Sequence, residues 1–298
     1  MSSHSFLAPG SLLVAATVWG LVWYPYRLLD LAGLSGSVSS LLTYGLGVIP
    51  LLFLARAQPI PVPGQKRWLL AVALTAGWTN LSYVLAVLHG EIMRVLLLFY
   101  LAPLWTVLFA RLILAERAGR AGLAVVALAL GGALIMLWRG EGLPLPANGA
   151  EWLGLSSGIC FALTNVLTRK TRAIPIETRS LWVFVGVGAL AGVFTATEAD
   201  AIPRIVAVDA ETWLLMAGIS LSLLLATFTV QYGLAYVSAN RGVVILLFEL
   251  VVAALSSRWL AGEIMDLREW LGGAMIVAAT LFSLGAGQGT EPAKASSP

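Results

Sequence analysis

Ten apolar runs, each close to the roughly 20 residues an α-helix needs to cross a bilayer core, constrain this chain more than any other feature. They fall at 10–31, 35–55, 67–88, 92–114, 119–138, 150–171, 178–197, 212–236, 240–260 and 267–287. The connectors hold turn formers, as in Gln58-Pro59-Ile60-Pro61-Val62-Pro63-Gly64 and Gly140-Glu141-Gly142-Leu143-Pro144-Leu145-Pro146. No connector is long enough to be a domain. Composition agrees: 59% of the residues are hydrophobic and 11% charged, where a soluble domain has about 25% charged. So few charges could not clothe a soluble enzyme, and the composition is the reverse of a disordered chain's. The first run has no Lys or Arg before Arg27 and leads into Trp19, Trp23, Tyr24 and Tyr26. It reads as a retained helix, not a cleaved signal peptide.

The basic residues set an orientation. With the N-terminus in the cytoplasm and the loops alternating, twelve fall inside: Arg56, Lys66, Arg67, Arg111, Arg117, Arg120, Arg169, Lys170, Arg172, Arg179, Arg241 and Lys294. Six fall outside: Arg27, Arg94, Arg139, Arg204, Arg258 and Arg268. The reading is a multi-pass protein of the cell (inner) membrane with both termini cytoplasmic. Its partners are the lipid bilayer and a small-molecule substrate. The net charge of +3 gives no reason to expect nucleic acid. A lone thiol, Cys160, makes neither an internal disulfide nor a cysteine metal site.

The ten spans divide into five and five. Arg111-Leu112-Ile113-Leu114-Ala115-Glu116 follows span four, and Arg258-Trp259-Leu260-Ala261-Gly262-Glu263 follows span nine. Tyr83-Val84-Leu85-Ala86 closes span three, and Tyr232-Gly233-Leu234-Ala235 closes span eight. Trp68 and Trp213 open those same two spans. Shared order across the halves indicates an internal repeat. Five is odd, so the second half enters the membrane from the opposite face, the inverted arrangement of many secondary transporters. The expected fold is an all-α polytopic membrane protein: ten transmembrane helices as two inverted-topology five-helix repeats around a central cavity. Residues 1–144 would form one repeat. Residues 145–298 would form the other, ending in a short disordered tail.

These motifs, with Trp19-Gly20, Ala102-Pro103-Leu104 and Phe248-Glu249-Leu250, resemble the drug/metabolite transporter superfamily, specifically its EamA-type ten-helix members. Within it the chain looks most like the YddG-type aromatic amino acid exporters. The resemblance spans residues 10–285. It implies a basket of helices one, three, four, six, eight and nine around a central cavity, with five and ten peripheral. One departure is Leu250, which stands where many members have Pro after Glu. It puts a Pro-linked bend in span nine in question.

Glu249 lies near the middle of span nine. An ionised group there costs about 2.5–3.5 kcal/mol on insertion scales, so it must meet a wet cavity, find a partner or keep its proton. Two readings of it stand, a contact for a cargo ammonium or proton and a structural hydrogen bond. Trp19 and Trp23 share one face of span one. Trp78, Asn80 and Tyr83 lie on span three, and Tyr100 stands near Pro103 on span four. Phe161, Thr164 and Asn165 form a stripe on span six; Thr227, Gln231 and Tyr232 lie on span eight. Singly, such residues often only join helices by hydrogen bonds. Together they concentrate in spans one, three, four, six and eight, whereas spans two, five, seven and ten are mostly Leu, Val, Ala and Gly. That uneven distribution is what a central substrate-binding cavity requires, and these thirteen residues are its candidate lining.

No GxxxxGK[ST] segment is present for ATP, and with only His4 and His89 no HExxH can form. The chain is therefore read as no enzyme, with no metal site and no cofactor. Gly131-Gly132 and Gly272-Gly273 offer small-residue faces for a homodimer or, with the chain a monomer, for internal packing. The expected function is secondary transport that exports small metabolites, above all aromatic or bulky neutral amino acids, by alternating access. A multidrug or toxic-metabolite exporter on the same fold is the alternative. A membrane enzyme or non-transporting scaffold is a third reading, and it requires no solute-sized central cavity.

Overall fold

The computed structural model describes residues 4–59, 61–90, 92–137, 145–260 and 265–285. Glu263, residues 138–144 of the connector between the halves and the C-terminal tail with Lys294 lie outside the described residues. The apolar runs form α1 (His4–Leu31), α2 (Gly36–Ala55), α3 (Pro63–His89), α4 (Ile92–Phe99), α5 (Ala102–Ile113), α6 (Arg120–Leu137) and α7 (Gly149–Lys170). The second half continues with α8 (Ile176–Thr195), α9 (Ala201–Val206), α10 (Ala210–Tyr236), α11 (Ala239–Leu246), α12 (Phe248–Leu260) and α13 (Leu267–Gly285). Among the described residues no strand occurs. Helix starts follow local chemistry. Ser35, Asn148 and Asp209 cap α2, α7 and α10 by accepting from the backbone N–H of Val38, Glu151 and Thr212. Pro63 opens α3, where its missing N–H costs nothing.

Nine segments among the described residues are long and apolar enough to cross a membrane. The tenth expected span coincides with α13. Large apolar side chains such as Leu112, Trp259 and Phe282 stand exposed on the outside of the bundle, as lipid-facing residues do. The chain is an all-α polytopic membrane protein.

Two spans differ from the sequence expectation. Spans four and nine, read as continuous, are each broken: α4 stops at Phe99 and α5 starts at Ala102, and α11 stops at Leu246 and α12 starts at Phe248. The first break has a local cause. Pro103 has no N–H to give the carbonyl four residues back, which is that of Phe99. The second break has no Pro. It is bridged by a tight turn in which Leu250 N–H donates to Leu247 O (3.1 Å), and contacts from other helices support it.

Helices pack in exchangeable pairs. α3 lies on α7 as α1 lies on α10; α4 and α5 lie on α7 as α11 and α12 lie on α1. α2 packs on α8, and α6 on α13. Swapping the first five spans for the last five maps this set onto itself. Lipid tails are as apolar as Leu, so close packing rather than dehydration holds such interfaces. Phe184, fully buried, fills the α2–α8 interface with its ring 4.9 Å from that of Tyr44. Gly132 and Gly272 meet across α6 and α13: a Cβ on Gly132 would stand 2.6 Å from Gly272 O. This crossing within the chain occupies the small-residue faces that a homodimer would need at those two glycines.

Candidate functional site

The two breaks meet in the middle of the bundle. Tyr100 follows the end of α4, and Glu249 lies in the first turn of α12, where the positive end of a helix dipole favours a carboxylate. The Tyr100 hydroxyl donates to Glu249 Oε1 at 2.6 Å. One residue of each half thus closes the junction with a short side-chain hydrogen bond.

Aromatic rings surround this pair. Phe99 lies 5.1 Å from Tyr100, 5.4 Å from Tyr83 and 5.4 Å from Phe161 between ring centroids. Phe161 in turn meets Trp19 edge-on at 5.8 Å. The spacing and tilts are those that aromatic quadrupoles favour. Neighbouring helices can approach because glycines face the break carbonyls. Gly158 of α7 abuts Phe99 O, the acceptor left free by Pro103, and a Cβ there would overlap that backbone. A Cβ on Gly20 of α1 would lie 2.7 Å from Glu249 O.

The expected central cavity is narrow at this junction. The gap beside Tyr100, Pro103, Phe161, Leu247 and Glu249 measures about 10 Å³, room for about one water. The rings themselves fill the space. A wider groove of about 590 Å³ lies elsewhere, between the start of α1 (Phe6, Leu7, Gly10, Ser11, Val14) and Thr229 and Tyr232 of α10.

Of the thirteen candidate residues, the structure brings five into this cluster: Trp19, Tyr83, Tyr100, Phe161 and Glu249. Others serve helix contacts. Trp23 Nε1 donates to Ser256 Oγ (2.9 Å), Trp78 Nε1 to Ser156 Oγ (3.1 Å) and the Thr164 hydroxyl to Thr75 Oγ1 (2.8 Å). Gln231 Oε1 accepts from Arg179 Nη1 at 2.8 Å. Asn165 is buried, Asn80 and Thr227 are half-buried on α3 and α10, and Tyr232 lines the separate groove. Phe99 was not among the candidates, because within an unbroken apolar run nothing marks it; Pro103 four residues later was the available signal.

Ion pairs lie toward the two ends of the bundle. Arg94 Nε donates to Glu151 Oε1 (2.8 Å), and Glu151 is further held by Asn148 Nδ2 and Ala147 N. At the opposite end, where the chain starts, Glu116 pairs with Arg169 and accepts from Ala239 N (3.1 Å), capping α11. Among the described residues no group of three His, Cys, Asp or Glu side chains converges as a metal site.

A polytopic bundle whose paired halves meet at two broken helices, with one carboxylate among aromatic rings at their junction, has the build of a membrane transporter. The comparisons bear on the same point. The profile of the EamA-like transporter family matches residues 8–138 and 148–285, and the chain belongs to that family. An uncharacterized transporter of Archaeoglobus fulgidus is 26% identical over 219 residues, covering 73% of this chain and 76% of that protein. A solved crystal structure matches with a TM-score of 0.73 at 16% identity, over 94% of this chain and 96% of the other. That last likeness concerns the fold.

Proposed function

We propose that this transporter exports amino acids with aromatic or bulky neutral side chains, and that the Tyr100–Glu249 junction is where cargo binds. The observation that carries this reading is a single carboxylate placed among five aromatic rings where two helices are broken. A carboxylate matches a cargo ammonium, and aromatic faces match an apolar or aromatic side chain and attract a cation. Broken helices place free backbone groups and dipole ends at such sites. The gap of about 10 Å³ is far below the roughly 300 Å³ and more of small-molecule sites, so cargo enters only when the rings part. Residues 1–144 and 145–298 act as the two repeats whose relative motion exposes the junction to each side in turn. The paired helix contacts support that division, as do the two separate family matches. The 12:6 distribution of basic residues supports cytoplasmic termini in the cell membrane.

The test is uptake into proteoliposomes across a panel of amino acids and cationic dyes, with and without a pH gradient. Saturable uptake of phenylalanine or tryptophan is expected. Dye transport without amino acid transport would move the protein to the multidrug reading. No saturable uptake of any solute by folded protein would remove the substrate assignment.

A further inference from the structure

Arg179, in the first turn of α8, is only 3% exposed. Read from sequence, it is one more cytoplasmic charge. A buried guanidinium ordinarily needs a carboxylate, yet among the described residues none lies within ion-pair distance of it. Its donors reach neutral oxygens instead. Nε donates to Ile174 O (3.1 Å) and Nη1 to Thr168 O (3.2 Å) and Gln231 Oε1 (2.8 Å). Nη2 makes only a long contact to Gln231 O (3.4 Å). Thr168 O belongs to the last turn of α7, so the negative end of that helix faces the charge, and Glu177, two residues earlier on α8, attracts it from beyond ion-pair distance.

Asn165 supplies a second, independent observation. It is 4% exposed, and its Nδ2 has no hydrogen-bond partner. Phe161, Asn165 and Thr168 share one face of α7. That face runs from the aromatic junction to the carbonyl that holds Arg179, about 10 Å away at 1.5 Å per residue. A buried guanidinium whose bonds all go to neutral oxygens and a buried donor without an acceptor therefore lie along one helix. A carboxylate in contact, which only accepts hydrogen bonds, would give Arg179 Nη2 a shorter bond and Asn165 Nδ2 an acceptor.

We propose that Arg179, with Asn165 and Gln231, forms a second cargo-binding point that takes a carboxylate. The proposal rests on the amino acid reading and extends it. About 10 Å is too far for one α-amino acid to reach with its ammonium and its carboxylate together, so the two points act in succession. Arg179 receives cargo at the end of the bundle where the chain starts, when α7 and α10 separate. Glu249 then takes it at the junction. Cargo with a free carboxylate is thereby preferred over amines and amides of the same shape.

Two probes separate the points: 3-phenylpropanoate, a carboxylate without an ammonium, and phenethylamine, the converse. Each is titrated against full-length purified protein while its thermal melt is followed. The parent is expected to be stabilised by both. Arg179→Gln should keep the phenethylamine response and weaken the phenylpropanoate response about tenfold or more, the scale of a charge-assisted hydrogen bond. Asn165→Ala should weaken it less and in the same direction, and it serves if Arg179→Gln does not fold. A parent indifferent to phenylpropanoate, or a cooperatively melting Arg179→Gln with an undiminished response, would overturn the proposal. If Arg179→Gln does not fold, an undiminished response in Asn165→Ala does so. If the parent transports no amino acid yet loses its phenylpropanoate response through these variants, the cargo reading fails and the anion site stands.

Discussion

The broken helix of the first half, α4–α5, is tied to α7 at both ends by charge. Arg94 binds the 3%-exposed Glu151 at one end, and Glu116 binds Arg169 at the other. The broken helix of the second half, α11–α12, is held on α1 by neutral contacts among the described residues. Trp23 donates to Ser256, the Ser256 hydroxyl lies 3.2 Å from Gly20 O, and Gly20 faces Glu249 O. Arg241, which matches Arg94 in its half, bonds to the backbone carbonyl of Ser283 on α13 instead. The equivalent ends at Arg94 and Arg241 thus have unequal attachments among the described residues. Removing one member of a buried ion pair strands the other, whereas a neutral hydrogen bond is exchanged for a modest cost. The difference makes the Arg94 end of α4 firmer on α7 than the Arg241 end of α11 is on α13.

The largest expected effect tests that inequality. Glu151→Ala should destabilise by about 3 kcal/mol, because it removes the buried carboxylate to which Arg94 Nε and Nη2, Asn148 Nδ2 and Ala147 N donate. Arg241→Ala should cost less, about 2 kcal/mol, because Nε and Nη2 both donate to the neutral Ser283 carbonyl and no opposite charge is stranded. Denaturation of detergent-solubilised protein measures both, and equal losses would break the comparison. Next come the partners at the junction. Glu249→Gln should lower transport about 100-fold with folding intact, and Tyr100→Phe, which keeps the ring, about tenfold. A larger loss in Tyr100→Phe would shift the centre of the site to the first half.

The glycines that face the two breaks follow. Gly158→Ala and Gly20→Ala should each destabilise by about 1–3 kcal/mol through overpacking. Gly158→Ala should be the worse, because the three atoms nearest its Cβ are all Phe99 backbone, whereas Gly20 also meets the Val252 side chain. Thermal melting checks the order. The smallest effect belongs to a cap. The Thr212 side chain, and with it the Thr212 backbone N–H, holds the Asp209 carboxyl below its ordinary range. Its contribution is present above the unfolded carboxylate pKa and is lost as pH falls through the lowered folded value. Asp209→Ala should therefore reduce the melting temperature slightly at pH 7, and the gap from the parent should close in acid.

The spans and the five-plus-five division could be read from the sequence, because apolar length and motif order are local properties of the chain. The breaks were less legible. Pro103 hinted at one, but the break at Leu247 has no residue of its own to announce it and depends on Tyr100, Gly20 and the tight turn. Candidate residues could be listed by type and face but not sorted. Trp19 and Trp23 share a face of one helix, yet one meets Phe161 at the junction and the other bonds to Ser256. Arg179 shows the same limit. Its place at the start of span seven suggests a cytoplasmic charge, and only the packing of α7, α8 and α10 encloses it.

The most direct test of the central claim is counterflow of radiolabelled phenylalanine in proteoliposomes of the parent and of Glu249→Gln, each shown to melt cooperatively beforehand. The junction account predicts saturable exchange by the parent and about a 100-fold loss in the variant. A folded parent with no saturable exchange, or a variant that matches it, would contradict the account.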